Sequence, residues 1–303
     1  MTSTTSRPEQ DRVVGILLRI GAASAFGLMA AALKFASDRG VLAVEMLFYR
    51  AVFGLPVVVV WLMLGPGLGA VRTRRPGAHL ARSALGISSI LCTFKALTLL
   101  PLADATTIGF SAPIFATIFS AIFLAERVGS HRWAAVVVGF LGILIVMRPG
   151  GTELSHTGLA FALVSAIGTA AVTIAVRQLG STEDAAAIVF WFFVSSAIVG
   201  VVLVALFGRL HSPAVLALLV AGGVAGGVAQ LLMTASLRFA PVSVISPFDY
   251  TQFVWAVLLG WLLWDTHPTV NTWFGAAIII GSGLYTLYRE HRLGREKAPQ
   301  PTL

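Results

Sequence analysis

The chain has 303 residues, of which 57% are hydrophobic and only 11% charged, less than half the share of roughly 25% usual in soluble domains. A water-soluble fold of this length could not hide that much apolar surface, whereas a membrane protein turns its outer face to lipid. The net charge of +8 would suggest nucleic acid in a soluble protein. Here the charges stand in loops and tails between apolar runs, so they read as membrane topology and no nucleic-acid partner is expected.

Residues 1–12 are polar and are expected to be a disordered cytoplasmic tail. Ten apolar runs follow, at about 13–34, 42–64, 78–99, 103–124, 132–148, 157–177, 186–207, 214–237, 243–263 and 271–288. Each comes close to the length of about 20 residues that crosses a hydrocarbon core at helical rise. The first run is too long for the apolar region of a cleaved signal and is expected to be retained. It carries Arg19, which either faces a cavity or partner within the bundle or snorkels to the cytoplasmic interface. The second opens on Glu45 and continues through Phe48, Tyr49, Arg50 and Phe53. The loop 65–77 holds a Gly-Pro-Gly turn and then Arg72, Arg74 and Arg75, a basic anchor at the membrane surface. The third run contains Cys92, the only cysteine, so an internal disulfide is impossible.

Lys95 lies near the outer end of that run. The fourth has Pro113 with small residues Ala112, Ala116 and Ser120 at four-residue spacing. A short charged turn with Glu126, Arg127, His131 and Arg132 leads into the fifth. The seventh carries four consecutive aromatics, Phe190 to Phe193. The eighth carries Gly222, Gly223, Gly226 and Gly227, then Gln230. The ninth reads Ser246-Pro247-Phe248-Asp249-Tyr250 and continues to Phe253 and Trp255. Residues 290–303 form a basic tail.

With the N-terminus inside, fourteen Lys and Arg fall on the cytoplasmic side, Arg82 among them, and five outside. This bias places both termini in the cytoplasm. The chain also repeats itself. Pro101 answers to Pro241 and Trp133 to Trp273, 140 residues apart, and Ser24-Ala25-Phe26-Gly27 answers to Ser165-Ala166-Ile167-Gly168 at 141. Two units follow, 13–150 and 151–289, with five spans each. Five is odd, so equivalent spans enter the membrane from opposite sides. The expected fold is an all-α membrane protein of ten transmembrane helices in two inverted five-helix repeats.

Ionisable groups inside spans are costly and mark functional sites or buried partners. Arg50 fits a substrate carboxylate through paired hydrogen bonds, or equally a structural tie to Glu45 or a backbone carbonyl. Lys95 suits a carboxylate or the outer headgroups. Asp249 suits a substrate ammonium, a coupling proton, or a pairing with Arg238. Tyr49, Trp191, Tyr250 and Trp255 combine an apolar body with a polar tip, which suits an amphipathic organic solute, and Gln230 adds an amide. Four consecutive aromatics cannot all face one cavity, because helical neighbours point about 100° apart. Gly222 and Gly226 mark close helix contact, and Pro113 and Pro247 supply bends.

Pro113, the run Ala125-Glu126-Arg127, Trp133, Gly139 and Gly142 resemble the first EamA repeat of the drug/metabolite transporter superfamily. Residues 246–265 resemble its second repeat, with Asp265 where that pattern carries glutamate. The resemblance implies a carrier in the bacterial inner membrane exporting metabolites or amino acids. A looser similarity to YddG-type exporters implies aromatic amino acids. No nucleotide-binding loop, zinc-protease motif or nucleophile elbow is present, so an enzyme, a cofactor and a metal are not expected. The expected partners are a small-molecule substrate and the lipid bilayer, for a monomer or a homodimer. The expected function is secondary export of amino acids by alternating access. Drugs or other metabolites are the alternative cargo, and an intramembrane enzyme or lipid-handling protein is the alternative class.

Overall fold

A computed structural model describes residues 7–123, 129–147 and 154–296. Ala125, Glu126, Arg127 and Arg148 lie outside the described residues, as do residues 1–6 and 297–303. The long helices are α1 (Arg7–Ser37), α2 (Ala43–Leu64) and α3 (Pro76–Leu99), then the pair α4 (Leu102–Gly109) and α5 (Ala112–Phe123), then α6 (Ser130–Met147), α7 (His156–Leu179), α8 (Ala185–Phe207) and α9 (Pro213–Phe239). They are followed by the short α10 (Val242–Ile245), then α11 (Thr251–Trp264) and α12 (Val270–Glu296). Nine stretches among the described residues are long and apolar enough to cross a membrane, with α4 and α5 counting as one. The tenth expected run is α10, a 3-10 turn at Ser246–Tyr250, and α11 in succession.

The segment expected to be disordered at 1–12 is helical from Arg7. Its only proline, Pro8, sits in the first helical turn, where the missing N–H costs nothing. At the other end α12 continues past the expected boundary to Glu296.

The fourth and ninth spans break at corresponding places. α4 closes on Phe110, whose N–H reaches the carbonyls of Thr106 and Thr107, and Ser111 Oγ donates to Ile108 O at 2.6 Å. Pro113 then stands in the first turn of α5. Pro247 stands in the first turn of the 3-10 segment. Both prolines begin a helical piece after an interruption, where the ring fits and no carbonyl partner is lost.

Exchanging the two halves maps the packing onto itself. α1 lies on α9, and its counterpart α7 lies on α3. α2 lies on α8 and α6 on α12, each pair being its own counterpart. Glycines permit the closest approaches. On α9, Gly222 and Gly226 face Leu33 and Met29 of α1, while Gly223 and Gly227 face Tyr49 O and Gly54 of α2. Two glycine pairs one residue out of step address two neighbours because successive helical positions diverge by about 100°. A Cβ on Gly275 of α12 would lie 2.8 Å from Gly142 O of α6.

The ends are set by ordinary capping chemistry. Ser155 Oγ accepts from Gly158 N, and Asp184 Oδ1 accepts from Ala186 N at 2.9 Å. Asp265, the departure from the family pattern, closes α11 in the left-handed region with φ 51°. Aspartate is enriched in that conformation.

Candidate substrate site

The two broken spans touch where they break. The rings of Phe110 and Tyr250 meet edge to face with centroids 5.0 Å apart. These residues are equivalent under the 140-residue offset, so the contact marks the pseudo-two-fold axis. The Tyr250 hydroxyl fills space over Gly283 of α12, where a Cβ would come within 2.1 Å of it.

Beside this contact, Asp249 forms a two-pronged ion pair with Arg19 of α1: Nε donates to Oδ1, and Nη2 donates to Oδ2 at 2.6 Å. The Arg19 side chain is 12% exposed and that of Asp249 40%. Two alternatives fall away. Arg19 does not snorkel, because a carboxylate meets it inside the bundle. Asp249 does not pair with Arg238, whose guanidinium lies 5.7 Å from the Trp61 ring instead. Trp255 Nε1 donates to Ser24 Oγ at 2.7 Å and packs on Gly27, so the repeated Ser-Ala-Phe-Gly motif of α1 grips the ninth span. In α7 the same motif grips α3: Ser89 Oγ donates to Ser165 O at 2.9 Å, and Gly168 faces Ser89.

A second group lies between α2, α3 and α8. Arg50 is 4% exposed, and its Nη1 has no hydrogen-bond partner. Its guanidinium carbon lies 5.2 Å from the Phe193 ring centre and 5.7 Å from that of Phe192. The structural tie to Glu45 does not form. That carboxylate caps its own helix by accepting from Leu42 N at 2.7 Å, and takes Arg209 N and His211 Nε2, both at 2.8 Å. Arg82, counted from the sequence only as one of the cytoplasmic charges, is also a buried group of this cluster. It is 9% exposed, and its guanidinium carbon lies 4.0 Å from the Phe192 ring centre. Its position inside the apolar run 78–99 was the signal for its burial.

The remaining candidates divide. Lys95 is on the exposed side of α3, one helical step from buried Phe94 and Ala96, so it is not brought to the site. The buried lysine is Lys34, donating to Leu97 O at 3.0 Å. Trp191 spends its N–H on Val71 O at 2.9 Å, anchoring the 3-10 turn Leu68–Val71. It too leaves the site. Tyr49 stacks on Phe53, with centroids 6.0 Å apart. Gln230 is half-buried in α9. Asp104 escaped notice because it stands at the start of its run. It is buried and accepts from Thr272 Oγ1 at 2.6 Å. Apolar grooves at Trp61 and Leu231, about 640 Å³, and at Phe253 and Trp273, about 480 Å³, open sideways. Their linings are apolar apart from His267 in the second, and they suit lipid tails. Among the described residues no three His, Cys, Asp or Glu side chains gather as a metal site.

Among the described residues, each end of the bundle has a buried His–carboxylate pair. Glu45 and His211 join α2 to the loop before α9. His79 and Glu183, 3.2 Å apart, join α3 to the loop before α8. Exchange of the halves carries one arrangement into the other, at opposite faces. Burial works against the charge of Glu183, but hydrogen bonds from Thr73, His79 and the Arg74 N–H outweigh it and hold the carboxyl below its ordinary range.

Comparison with known proteins agrees with this architecture. Residues 13–148 and again 156–288 match the EamA-like transporter family. A riboflavin transporter from Rhizobium johnstonii is 30% identical over 99% of each chain. The pseudopaline exporter CntI of Pseudomonas aeruginosa is 29% identical, over 88% of this chain and 93% of its own. An S-adenosylmethionine uptake transporter from Rickettsia conorii is 27% identical, over 82% of this chain and 83% of its own. One solved crystal structure shares the fold at a TM-score of 0.65 and 21% identity, covering 92% of this chain and 98% of that one. Two matched repeats, spans four and nine broken in register and a self-equivalent contact at their crossing lead to one statement: this chain is a membrane transporter that belongs to the EamA-like family of the drug/metabolite transporter superfamily.

Proposed function

We propose that the chain is a secondary carrier exporting amino acids or related carboxylated metabolites across the bacterial inner membrane, with aromatic amino acids as the first cargo to test. Units 13–150 and 151–289 move against each other, and the face at which α1 begins is cytoplasmic. The observation that carries the reading is the junction of the broken spans. Phe110, Tyr250 and the Arg19–Asp249 pair stand there together, and interrupted helices at matching positions of two halves are where carriers of this kind bind solute. Asp249, with its carboxylate partly open, receives a solute ammonium or a proton, and Arg50 receives a carboxylate.

A second reading is supported by the named relatives, which handle riboflavin, pseudopaline and S-adenosylmethionine. All are larger than an amino acid, so other metabolites or drugs are the competing cargo. Counterflow of labelled solutes in proteoliposomes tests both. Accumulation of phenylalanine or tryptophan against preloaded unlabelled solute is the expected result. Accumulation of riboflavin alone would replace the first reading with the second.

A further inference from the structure

Two guanidinium groups inside the bundle have no ion-pair partner among the described residues. Arg50 Nη1 and Arg82 Nε and Nη1 are buried without hydrogen-bond partners. Both guanidiniums lie over the same ring, Phe192, at 5.7 and 4.0 Å. Their central carbons are therefore within about 10 Å of each other, close enough to repel strongly in a low-dielectric interior. The carboxylates whose side chains the structure describes are engaged elsewhere or exposed: Glu45 with His211, Asp249 with Arg19, Glu183 with His79, Asp104 with Thr272, Asp184 as a helix cap, Asp38 with Trp264, and Asp265 exposed on the surface. Two further buried hydroxyls, Ser83 Oγ beside Arg82 and Ser196 Oγ one turn beyond Phe192, also have no partner. Buried polar atoms are nearly always satisfied, so such a cluster of orphans needs an explanation.

We infer that Arg50 and Arg82 together bind the solute as a dianion on an aromatic scaffold, both guanidiniums meeting its doubly negative part, with the solute ring against Phe192. The inference rests on the transport reading above and narrows it. A second cation in place of a carboxylate disfavours an ammonium group, so acidic aromatic solutes rank above zwitterionic ones. The negative charge can come from two carboxylates or from a phosphate, because guanidinium groups recognise both in forked geometry.

The test uses purified full-length protein in detergent and equilibrium dialysis of four labelled probes: phthalate, phenyl phosphate, benzoate and L-phenylalanine. At least one dianion should bind ten times tighter than benzoate, and which one does so identifies the source of the charge. Arg82→Gln should abolish that advantage, Arg82→Lys should keep part of it, and Arg238→Gln should leave it unchanged. Equal binding of benzoate and both dianions by the unaltered protein overturns the inference without recourse to any variant, and so does equal loss in Arg238→Gln. Counterflow in proteoliposomes separates the two readings. Phenylalanine exchange without a dianion preference refutes only the paired arginines. Tight dianion binding with no exchange of any solute refutes only the transport cargo and mechanism proposed above.

Discussion

Replacing Asp249 with asparagine removes one charge from a pair whose other member is enclosed. Arg19 is 12% exposed at its side chain and would be left with Nε and Nη2 facing an amide. Breaking a fully buried pair costs about 3–5 kcal/mol, and breaking an exposed one at most about 1. Asp249 is 40% exposed, so the expected loss is intermediate, about 2–3 kcal/mol. That corresponds to a shift of roughly 30- to 150-fold in the folding equilibrium. The assay is a double-mutant cycle followed by unfolding in mixed micelles. Arg19→Met alone should cost a similar amount, because it strands the carboxylate. Arg19→Met with Asp249→Asn should be far milder than the sum, since no charge remains unpaired. Additive losses, with a coupling below about 0.5 kcal/mol, would refute the pairing. The double variant also separates stability from transport: folded but inactive protein assigns the pair to solute or proton handling.

Gly275→Ala should destabilise the protein by about 1–3 kcal/mol, because the new Cβ would sit 2.8 Å from Gly142 O and 2.2 Å from Val146 Cγ2; thermal unfolding reads this directly. Lys95→Gln should leave transport within about twofold of the parent in the counterflow assay, since the lysine lies on the exposed side of α3. Trp191→Phe should cost about 0.5–1.5 kcal/mol by losing its bond to Val71 O, and proteolysis of the 65–75 loop should quicken as the 3-10 turn loosens. The carboxyl of Glu183 is held low, so its share of loop closure is complete above the ordinary carboxylate range. That share fades only as pH falls through the lowered value. Hydrogen exchange at residues 180–184 should therefore not respond to ionisation of Glu183 between pH 7 and 5.5. A rise in that window that disappears in Glu183→Gln would contradict the assignment.

Much of the scaffold was legible, because depth in a membrane leaves a mark on composition. Apolar runs gave the spans, and the 140-residue offset revealed the halves before any contact was known. Pro113 and Pro247 pointed to the interruptions. The site was only partly legible, because a helix reports how deep a residue lies but not which neighbour its face meets. Lys95 and Lys34 are both lysines near the end of an apolar run, yet only Lys34 turns inward. Asp249 found Arg19 across 230 positions rather than the nearer Arg238, a choice made by packing of α1 against the 3-10 segment. Arg82 looked like one more topogenic charge, since counting treats every arginine near a loop alike. Trp191 had the right chemistry for a binding wall but faced the 3-10 turn.

The meeting of Phe110 with Tyr250 sets a rule for any motion that makes each half adopt the shape of the other. Such a swap replaces the distance from residue 110 to 250 by the distance from 250 to 110, the same quantity. Spin labels on repeat-equivalent positions should then show the same separation in both end states, like markers on the pin of a rocker. Labels on non-equivalent positions whose repeat counterparts stand at a different separation should show two distances that trade populations when the cargo gradient is reversed.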